Sequence, residues 1–275
     1  MILKQFFDEK FLNIEFLIIG NEILIGKTQD TNSNWMAKRI TKYGHKVKRI
    51  TTIGDELETI SNTLKDILKR SPDILITSGG IGPTFDDMTL EGIALGLNKK
   101  LELNNHAYNS IKKAYKHAYE KGILKLDGMT KEREKMAYLP KSSIPLPNTV
   151  GTAPGVKIRE GNCTIFILPG VPAEMRAMFR NIIVPILKEK KGKFIEKGFT
   201  FSGIGESQIA AYTGELEKKY SQLWIKTHPK IGLAVEVEVS ITAFDVEDGE
   251  ELVVKALNEM REIVLKLNGN IKERE

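Results

Sequence analysis

Residues 73–89 read Asp73-Ile74-Leu75-Ile76-Thr77-Ser78-Gly79-Gly80-Ile81-Gly82-Pro83-Thr84-Phe85-Asp86-Asp87-Met88-Thr89. The stretch opens on an apolar run without polar alternation, the mark of a strand buried on both faces of a parallel sheet. Three glycines follow within four residues, and a helix is expected over 87–97. Glycine accepts backbone conformations that other residues resist, and it lets a ligand approach the main chain. Amides in such a turn, with a helix N-terminus behind them, favour an anion. Open α/β sheets bind ligands beyond the carboxyl ends of their strands. No Gly-Lys-Ser/Thr follows and no Gly-x-Gly-x-x-Gly is present, so neither a Walker loop nor a dinucleotide fingerprint applies. On these residues alone, a tight turn without a ligand is the alternative.

Asp86 and Asp87 put two adjacent carboxylates beside that turn. A hard divalent cation bridging protein and phosphate needs such groups. Helix capping needs them equally. Adjacent helical side chains point ~100° apart, so one is expected to bind and the other to cap or act through water. Asp55, at another strand-to-helix junction, carries the same two readings.

Working outward, Glu15-Phe16-Leu17-Ile18-Ile19-Gly20 is a second buried strand. Asp30 or Thr31 can cap a helix through Trp35, Met36 and Ile40, with Gly44 at its end. Residues 47–53 form a strand, and Asp55 can cap a helix whose Leu57, Ile60, Leu64, Ile67 and Leu68 share one face. Ser71-Pro72 stops it. Strand, helix, strand, helix, strand, glycine loop, helix predicts a mostly parallel sheet covered on both faces.

Residues 99–141 read as helical and lysine-rich. Residues 156–158 and 164–168 flank a hairpin turn, and a helix over 173–190 follows, with a kink expected at Pro185. Gly192 and Gly198 mark a linker. The remainder reads strand, helix, strand, strand, helix, with strands at 199–204, 223–227 and 233–244 and helices at 207–220 and 247–267. This gives an N-terminal extension (1–13), an α/β domain (14–198) and a small α+β domain (199–275). In the extension, Phe6, Phe7, Phe11 and Leu12 can pack as a helix on the domain or on a partner.

Composition limits the function classes. The chain has 275 residues, 41% of them hydrophobic and 28% charged, which suits a folded soluble protein. One cysteine, Cys163, excludes an intrachain disulfide and a cysteine-rich zinc site. The four histidines are scattered. No apolar run reaches the ~18 residues of a membrane span, and the start lacks the apolar core of a signal peptide, so a cytoplasmic protein is expected. The net charge of +5 permits an acidic partner, but no nucleic-acid recognition motif is present.

Two further loop clusters are Asn148-Thr149-Val150-Gly151-Thr152-Ala153-Pro154-Gly155 and Leu168-Pro169-Gly170-Val171-Pro172-Ala173-Glu174-Met175. Each alone is ordinary turn chemistry. Together with Gly20-Asn21-Glu22-Ile23-Leu24, Asp30-Thr31-Asn32, Thr52-Ile53-Gly54-Asp55 and the glycine turn, they resemble the CinA family. The similarity is to its N-terminal molybdopterin-binding-like domain, shared with MoaB and MogA proteins. Gly203-Ile204-Gly205-Glu206-Ser207 resembles a marker of the CinA middle domain. The motifs occur in the family's order and cover nearly the whole chain from Ile14.

The resemblance implies a three-layer α/β fold with a mostly parallel sheet, followed by a small α+β domain. It implies metal-dependent hydrolysis of ADP-ribose to AMP and ribose 5-phosphate, or, as in MogA-like relatives, molybdopterin adenylylation. A non-catalytic nucleotide-binding module is a third reading. Asp55, Asp86 and Asp87 would be catalytic, with Asp86 and Asp87 on a divalent Mg, Mn or Co ion. Glu22, Ser78, Gly79, Gly80, Gly82, Thr84, Asn148, Gly151, Thr152, Gly170 and Glu174 would hold the phosphate and substrate. A homo-oligomer, dimer or higher, is expected, with a small nucleotide as partner and no membrane or nucleic acid. The sequence ends at Glu275, after the middle unit, so the family's C-terminal nicotinamide-mononucleotide deamidase activity is not expected. The family's usual Gly-Asp-Glu stands here as Gly20-Asn21-Glu22, and an Asn supplies no carboxylate to a metal.

The charge is unevenly placed. The first 198 residues carry +10 and the rest carry −5. An anionic substrate suits the first part.

Overall fold

The computed structural model describes residues 11–189, 192–230 and 236–273. The chain divides near residue 190 into two compact units.

The strands of the first unit are β1 (Asn13–Ile19), β2 (Lys46–Ile53), β3 (Ile74–Ser78), β4 (Leu101–Leu103), β5 (Tyr138–Pro140), β6 (Ile144–Leu146), β7 (Gly155–Glu160) and β8 (Cys163–Leu168). Its helices are α1 (Asn21–Leu24), α2 (Thr31–Lys42), α3 (Leu57–Lys69), α4 (Thr89–Gly96), α5 (Asn105–Glu120), α6 (Lys131–Lys135), α7 (Pro172–Met178) and α8 (Val184–Glu189). The main sheet has the order β2-β1-β3-β8-β7-β6. The four strands β2, β1, β3 and β8 run parallel, and β7 and β6 close one edge antiparallel.

Alternate side chains of a strand point to opposite faces, and this makes the three layers. Leu17, Ile19, Leu75, Ile165 and Ile167 pack on one face with Ile60, Leu64, Ile67 and Ile93 of α3 and α4. Phe16, Ile18, Ile74, Ile76, Phe166 and Leu168 pack on the other with Met36 and Ile40 of α2 and Met175 and Met178 of α7. Each fully buried aliphatic side chain stabilises by about 1.5–3 kcal/mol relative to exposure. The chain leaves β1 toward one face and β3 toward the other. Neighbouring parallel strands whose connections part in this way open a crevice at their carboxyl ends.

Some boundaries differ from the sequence expectation. The helix expected over 87–97 starts at Thr89, because Asp86 and Asp87 are turned back onto Thr84. Residues 99–141 contain, besides α5 and α6, the short antiparallel pair β4–β5. The helix expected over 173–190 is interrupted by a π-helical turn, Phe179–Ile183, just before Pro185. A proline ring collides with the carbonyl four residues back in a regular α-helix, and a wider turn removes that collision. Asp30 does cap α2, accepting the Ser33 amide at 3.0 Å, and Gly44 has φ +79° at the far end. Leu12 is buried in the core, whereas Phe6 and Phe7 lie outside the described residues.

The second unit is an antiparallel sheet of β9 (Phe194–Ser202), β10 (Leu223–Lys230), β11 (Glu236–Phe244) and β12 (Asn270–Glu273), in the order β10-β11-β9-β12. Helices α9 (Glu206–Lys219) and α10 (Gly249–Lys266) cover one face over Phe199, Phe201, Val237, Val239 and Ile241. The strand expected from residue 199 begins at Phe194, so Gly198 lies inside β9. A Cβ there would stand 2.2 Å from the Val239 carbonyl oxygen of β11. The first part of the strand expected over 233–244 (233–235) lies outside the described residues.

Candidate functional site

The four parallel strands end in four loops that meet on one side of the sheet. Gly20 follows β1, Gly54-Asp55 follow β2, Gly79 follows β3, and Pro169-Gly170 follow β8. Two backbone bonds extend the sheet into these loops: Gly20 N–H to Ile53 O (3.1 Å) and Gly79 N–H to Leu168 O (3.1 Å). Only glycine fits at position 79. Its φ is +113°, and a Cβ would lie 2.1 Å from the Ile19 carbonyl oxygen.

The glycine turn is held from behind. Thr89, fully buried, donates its hydroxyl to Gly79 O (2.8 Å) and its amide to Gly80 O (3.0 Å). Asn32 donates its side-chain amide to Gly170 O (2.7 Å) and to the Ser78 hydroxyl (3.1 Å), which itself donates to Pro169 O (3.1 Å). Ser78 is therefore a buried brace between β3 and the loop after β8. Among the described residues the amides of Gly80, Ile81 and Gly82 donate to no protein acceptor. Such amides are what an anion-binding turn requires.

The carboxylates stand beside this turn. Asp55 does not cap α3, whose N-cap is Glu56; its Oδ2 instead accepts the Asn21 amide at 2.8 Å. Asp86 and Asp87 do not cap α4 either. Oδ2 of Asp87 accepts both the amide (2.8 Å) and the hydroxyl (2.6 Å) of Thr84, and Asp86 accepts from the same hydroxyl. Lys135 donates to Thr84 O at 2.9 Å, joining α6 to the turn. Burial pushes the Asp55 carboxyl above its ordinary range against the pull of the Asn21 amide, and the charges of Glu22, Asp86 and Asp87 add to the rise. The Thr84 hydroxyl, with help from Lys135, holds Asp86 below the ordinary range.

A pocket of about 420 Å³ brings together Glu22, Gly79, Gly80, Gly82, Asp87, Thr152, Gly170 and Glu174, with Ile81, Pro83, Ala153, Pro169 and Val171. Of the residues expected from sequence, Thr84 flanks it through its bonds to Asp87, and Asp86 through its bond to Thr84. Asn148 and Gly151 support its wall: Asn148 donates to Glu174 (2.6 Å) and Ala153 O (2.8 Å) and accepts the Gly151 amide (2.9 Å). A Cβ on Gly151 would lie 2.1 Å from the Glu174 carboxylate. A second cleft of about 510 Å³ shares Ile81, Gly82 and Asp87 and continues along Leu90, Leu101, Met136 and Tyr138, with Lys131 and Lys135. Sequence reasoning missed Asn32, Thr89 and Lys135. Asn32 stands in the quoted Asp30-Thr31-Asn32 motif, but its partners are visible only in three dimensions.

Among the described residues no group of three or more His, Cys, Asp or Glu side chains is placed to hold a metal ion. Cys163 is buried, and burial lifts its thiol to about 11, so it is no nucleophile. Among the described residues no helix is long and apolar enough to cross a membrane.

Residues 15–189 match the family model described as "Probable molybdopterin binding domain". A protein of Sulfurisphaera tokodaii is 42% identical over 262 residues, covering 94% of this chain and 97% of that one. A protein of Pyrococcus abyssi is 38% identical over 250 residues, covering 91% and 96%. The crystal structure of the protein CinA, of unknown function, from Thermoplasma acidophilum is 38% identical. It covers 63% of this chain and 98% of its own, with a TM-score of 0.57. With the glycine turn at the carboxyl end of β3 and the sheet order that carries it, these matches establish that the chain belongs to the molybdopterin-binding-domain family, among its CinA-type members.

Proposed function

We propose that the protein is a metal-dependent nucleotide pyrophosphatase that hydrolyses ADP-ribose or a similar dinucleotide-like pyrophosphate. The observation that carries this reading is the charge arrangement at the turn. Glu22, Asp86 and Asp87 act on Asp55 beside amides that suit an anion. Carboxylates next to a phosphate seat repel the phosphate unless a cation stands between them. The donors are all carboxylate oxygens, which suit a hard ion such as Mg or Mn, with Co as a substitute. One or two carboxylates, Asp87 foremost, would hold it, with phosphate oxygens and water completing the shell. When bound, such an ion neutralises phosphate oxygens and lowers the pKa of a bound water.

The chain's own residues divide the remaining work. The Gly80, Ile81 and Gly82 amides hold one phosphate and stabilise the charge that builds on it. Thr84 fixes the Asp86 and Asp87 side chains before substrate arrives, which removes a reorganisation cost. Asp55, whose carboxyl holds its proton more firmly than an ordinary aspartate, suits proton uptake from the attacking water. Hydrolysis adds water across the P–O–P bridge and yields two phosphate monoesters, AMP and ribose 5-phosphate for ADP-ribose. The test is ADP-ribose with Mg²⁺, Mn²⁺ or Co²⁺ and chromatography of the products. A folded sample that turns over with none of the three overturns this reading.

A second reading, adenylylation of a molybdopterin precursor, is favoured by the adjoining cleft, where Leu90, Leu101, Met136 and Tyr138 suit a planar ring. It requires ATP and a pterin, and the pterin would raise the melting temperature. A non-catalytic module would be stabilised by nucleotide without turnover. We further propose, from the family resemblance, a cytoplasmic homo-oligomer, whose mass sedimentation compares with the 30.9 kDa chain.

A further inference from the structure

A concentration of positive charge lies on α2, α7 and the π-helical turn, and none of its residues lines the pocket at the glycine turn. The guanidinium of Arg39 stacks 3.5 Å from the ring centre of Trp35. Those of Arg180 and Arg176 lie 5.5 and 5.6 Å from the same centre. Phe179 packs edge-on against the indole, with centroids 5.5 Å apart and an interplanar angle of 83°. Helical spacing makes the cluster: Trp35 and Arg39 are four residues apart on α2, as are Arg176 and Arg180 where α7 passes into the π-helical turn.

Among the described residues none of the three arginines has a carboxylate partner. The Nε of Arg176 is buried without any hydrogen-bond partner. Burial, and then the charges of Arg180 and Arg176, hold Arg39 below its ordinary value. One guanidinium is enough to cover an indole face. Three around one ring repel one another and leave donors unused, and a compact anion relieves both costs. We propose that Arg39, Arg176 and Arg180, gathered around Trp35, form a binding site for a phosphate group, separate from the carboxylate-lined pocket.

Phosphate fits better than a lone carboxylate. Its oxygens accept the paired N–H groups of several guanidiniums at once, and it brings up to two negative charges to a point where three positive ones meet. The acidic face of another chain would spread its charge over a broad surface, whereas these arginines focus on one ring. The unit that carries them is basic overall. The proposal stands whether or not the carboxylate pocket hydrolyses a pyrophosphate.

The chain has two tryptophans, and Trp224 is exposed on β10 in the second unit, so Trp224→Phe leaves Trp35 as the only indole reporter. In that background, inorganic pyrophosphate, orthophosphate and AMP are titrated at constant ionic strength while Trp35 fluorescence is followed. A saturable change is expected. It should weaken by about tenfold or more in Arg176→Gln/Arg180→Gln and persist in Asp87→Asn. The exposed Arg180→Gln alone keeps the test valid if the double change unfolds the chain, and equilibrium dialysis of labelled pyrophosphate, read as the number of sites lost from wild type to the arginine variant, checks binding without the indole. Tighter binding of AMP than of orthophosphate assigns the site to a nucleotide; equal binding assigns it to free phosphate; both support the proposal. It is overturned by the absence of a saturable change, by an equal response to chloride, or by full binding in the arginine variants. It is also overturned if phosphate does not bind and the arginine variants instead lower the oligomeric mass.

Discussion

The backbone amide of Asn21 donates a 2.8 Å hydrogen bond to Oδ2 of Asp55, tying the loop after β1 to the loop after β2. The bond needs no carboxylate at position 21, so the Asn in place of the family's usual Asp leaves this tie intact. It also sets Asp55 among other carboxylates, and burial with those charges raises its pKa.

The first prediction follows from that rise. A carboxyl whose folded pKa is raised binds its proton more firmly in the native than in the unfolded state. Its stabilising contribution is present below the unfolded value, about 3.9, and is lost as pH rises through the folded value. Near neutral pH the charged Asp55 is a burden. Asp55→Asn keeps an oxygen for the Asn21 amide and should raise the melting temperature near pH 7, with the gain fading as pH falls through the folded value and gone below about pH 4. A melting series across pH checks this, and a variant less stable at neutral pH would contradict it.

Gly79→Ala should unfold the turn's geometry. A Cβ 2.1 Å from the Ile19 carbonyl oxygen at φ +113° cannot be accommodated without moving β1. A loss of at least about 2–3 kcal/mol is expected. Gly122→Ala is the control, with φ +71° but nothing within 4 Å, and should cost only about 1 kcal/mol. Urea midpoints of the two variants give the comparison.

Arg70 and Glu15 form a fork-to-fork pair at the amino end of the sheet, with Nη2 to Oε2 at 2.6 Å and Nε to Oε1 at 3.0 Å. Glu15 is only 5% exposed. Arg70→Met strands a buried charge and should cost about 2–3 kcal/mol, less than for a fully enclosed pair because water reaches Arg70. Adding Glu15→Gln should recover part of the loss in a double-mutant cycle.

Asn32→Ala should loosen the site without touching its carboxylates. It removes the donor that joins Gly170 O to the Ser78 hydroxyl and should cost about 1–3 kcal/mol. Faster amide exchange is expected in the loop after β8, with β9–β12 unchanged. Equal protection across the loop in variant and wild type would contradict the bracing role.

The parallel half of the fold is legible in the sequence because β1 and β3 are buried on both faces and read as unbroken apolar runs. The glycine turn is legible because a strained turn restricts residue choice. The β4–β5 pair is not, since Leu101-Glu102-Leu103 is too short to show a period. Capping by Asp55, Asp86 and Asp87 is the natural local expectation. It gives way because Asn21, 34 residues before Asp55, and Thr84 offer better-placed donors. Ser78, Asn148 and Gly151 look alike in sequence to the residues that line the pocket, yet stand behind its wall. Asn32 reaches Gly170 across 138 residues, a distance no local pattern encodes.

A cation held by the carboxylates beside the glycine turn, acting on a bound pyrophosphate, is tested most directly by hydrolysis of ADP-ribose by metal-stripped protein with Mn²⁺ returned stepwise, beside folded Asp87→Asn. AMP and ribose 5-phosphate are expected only when metal is present, with a rate about a hundredfold lower in the variant. Turnover that ignores the metal, or an Asp87→Asn protein as active as the wild type, would contradict it.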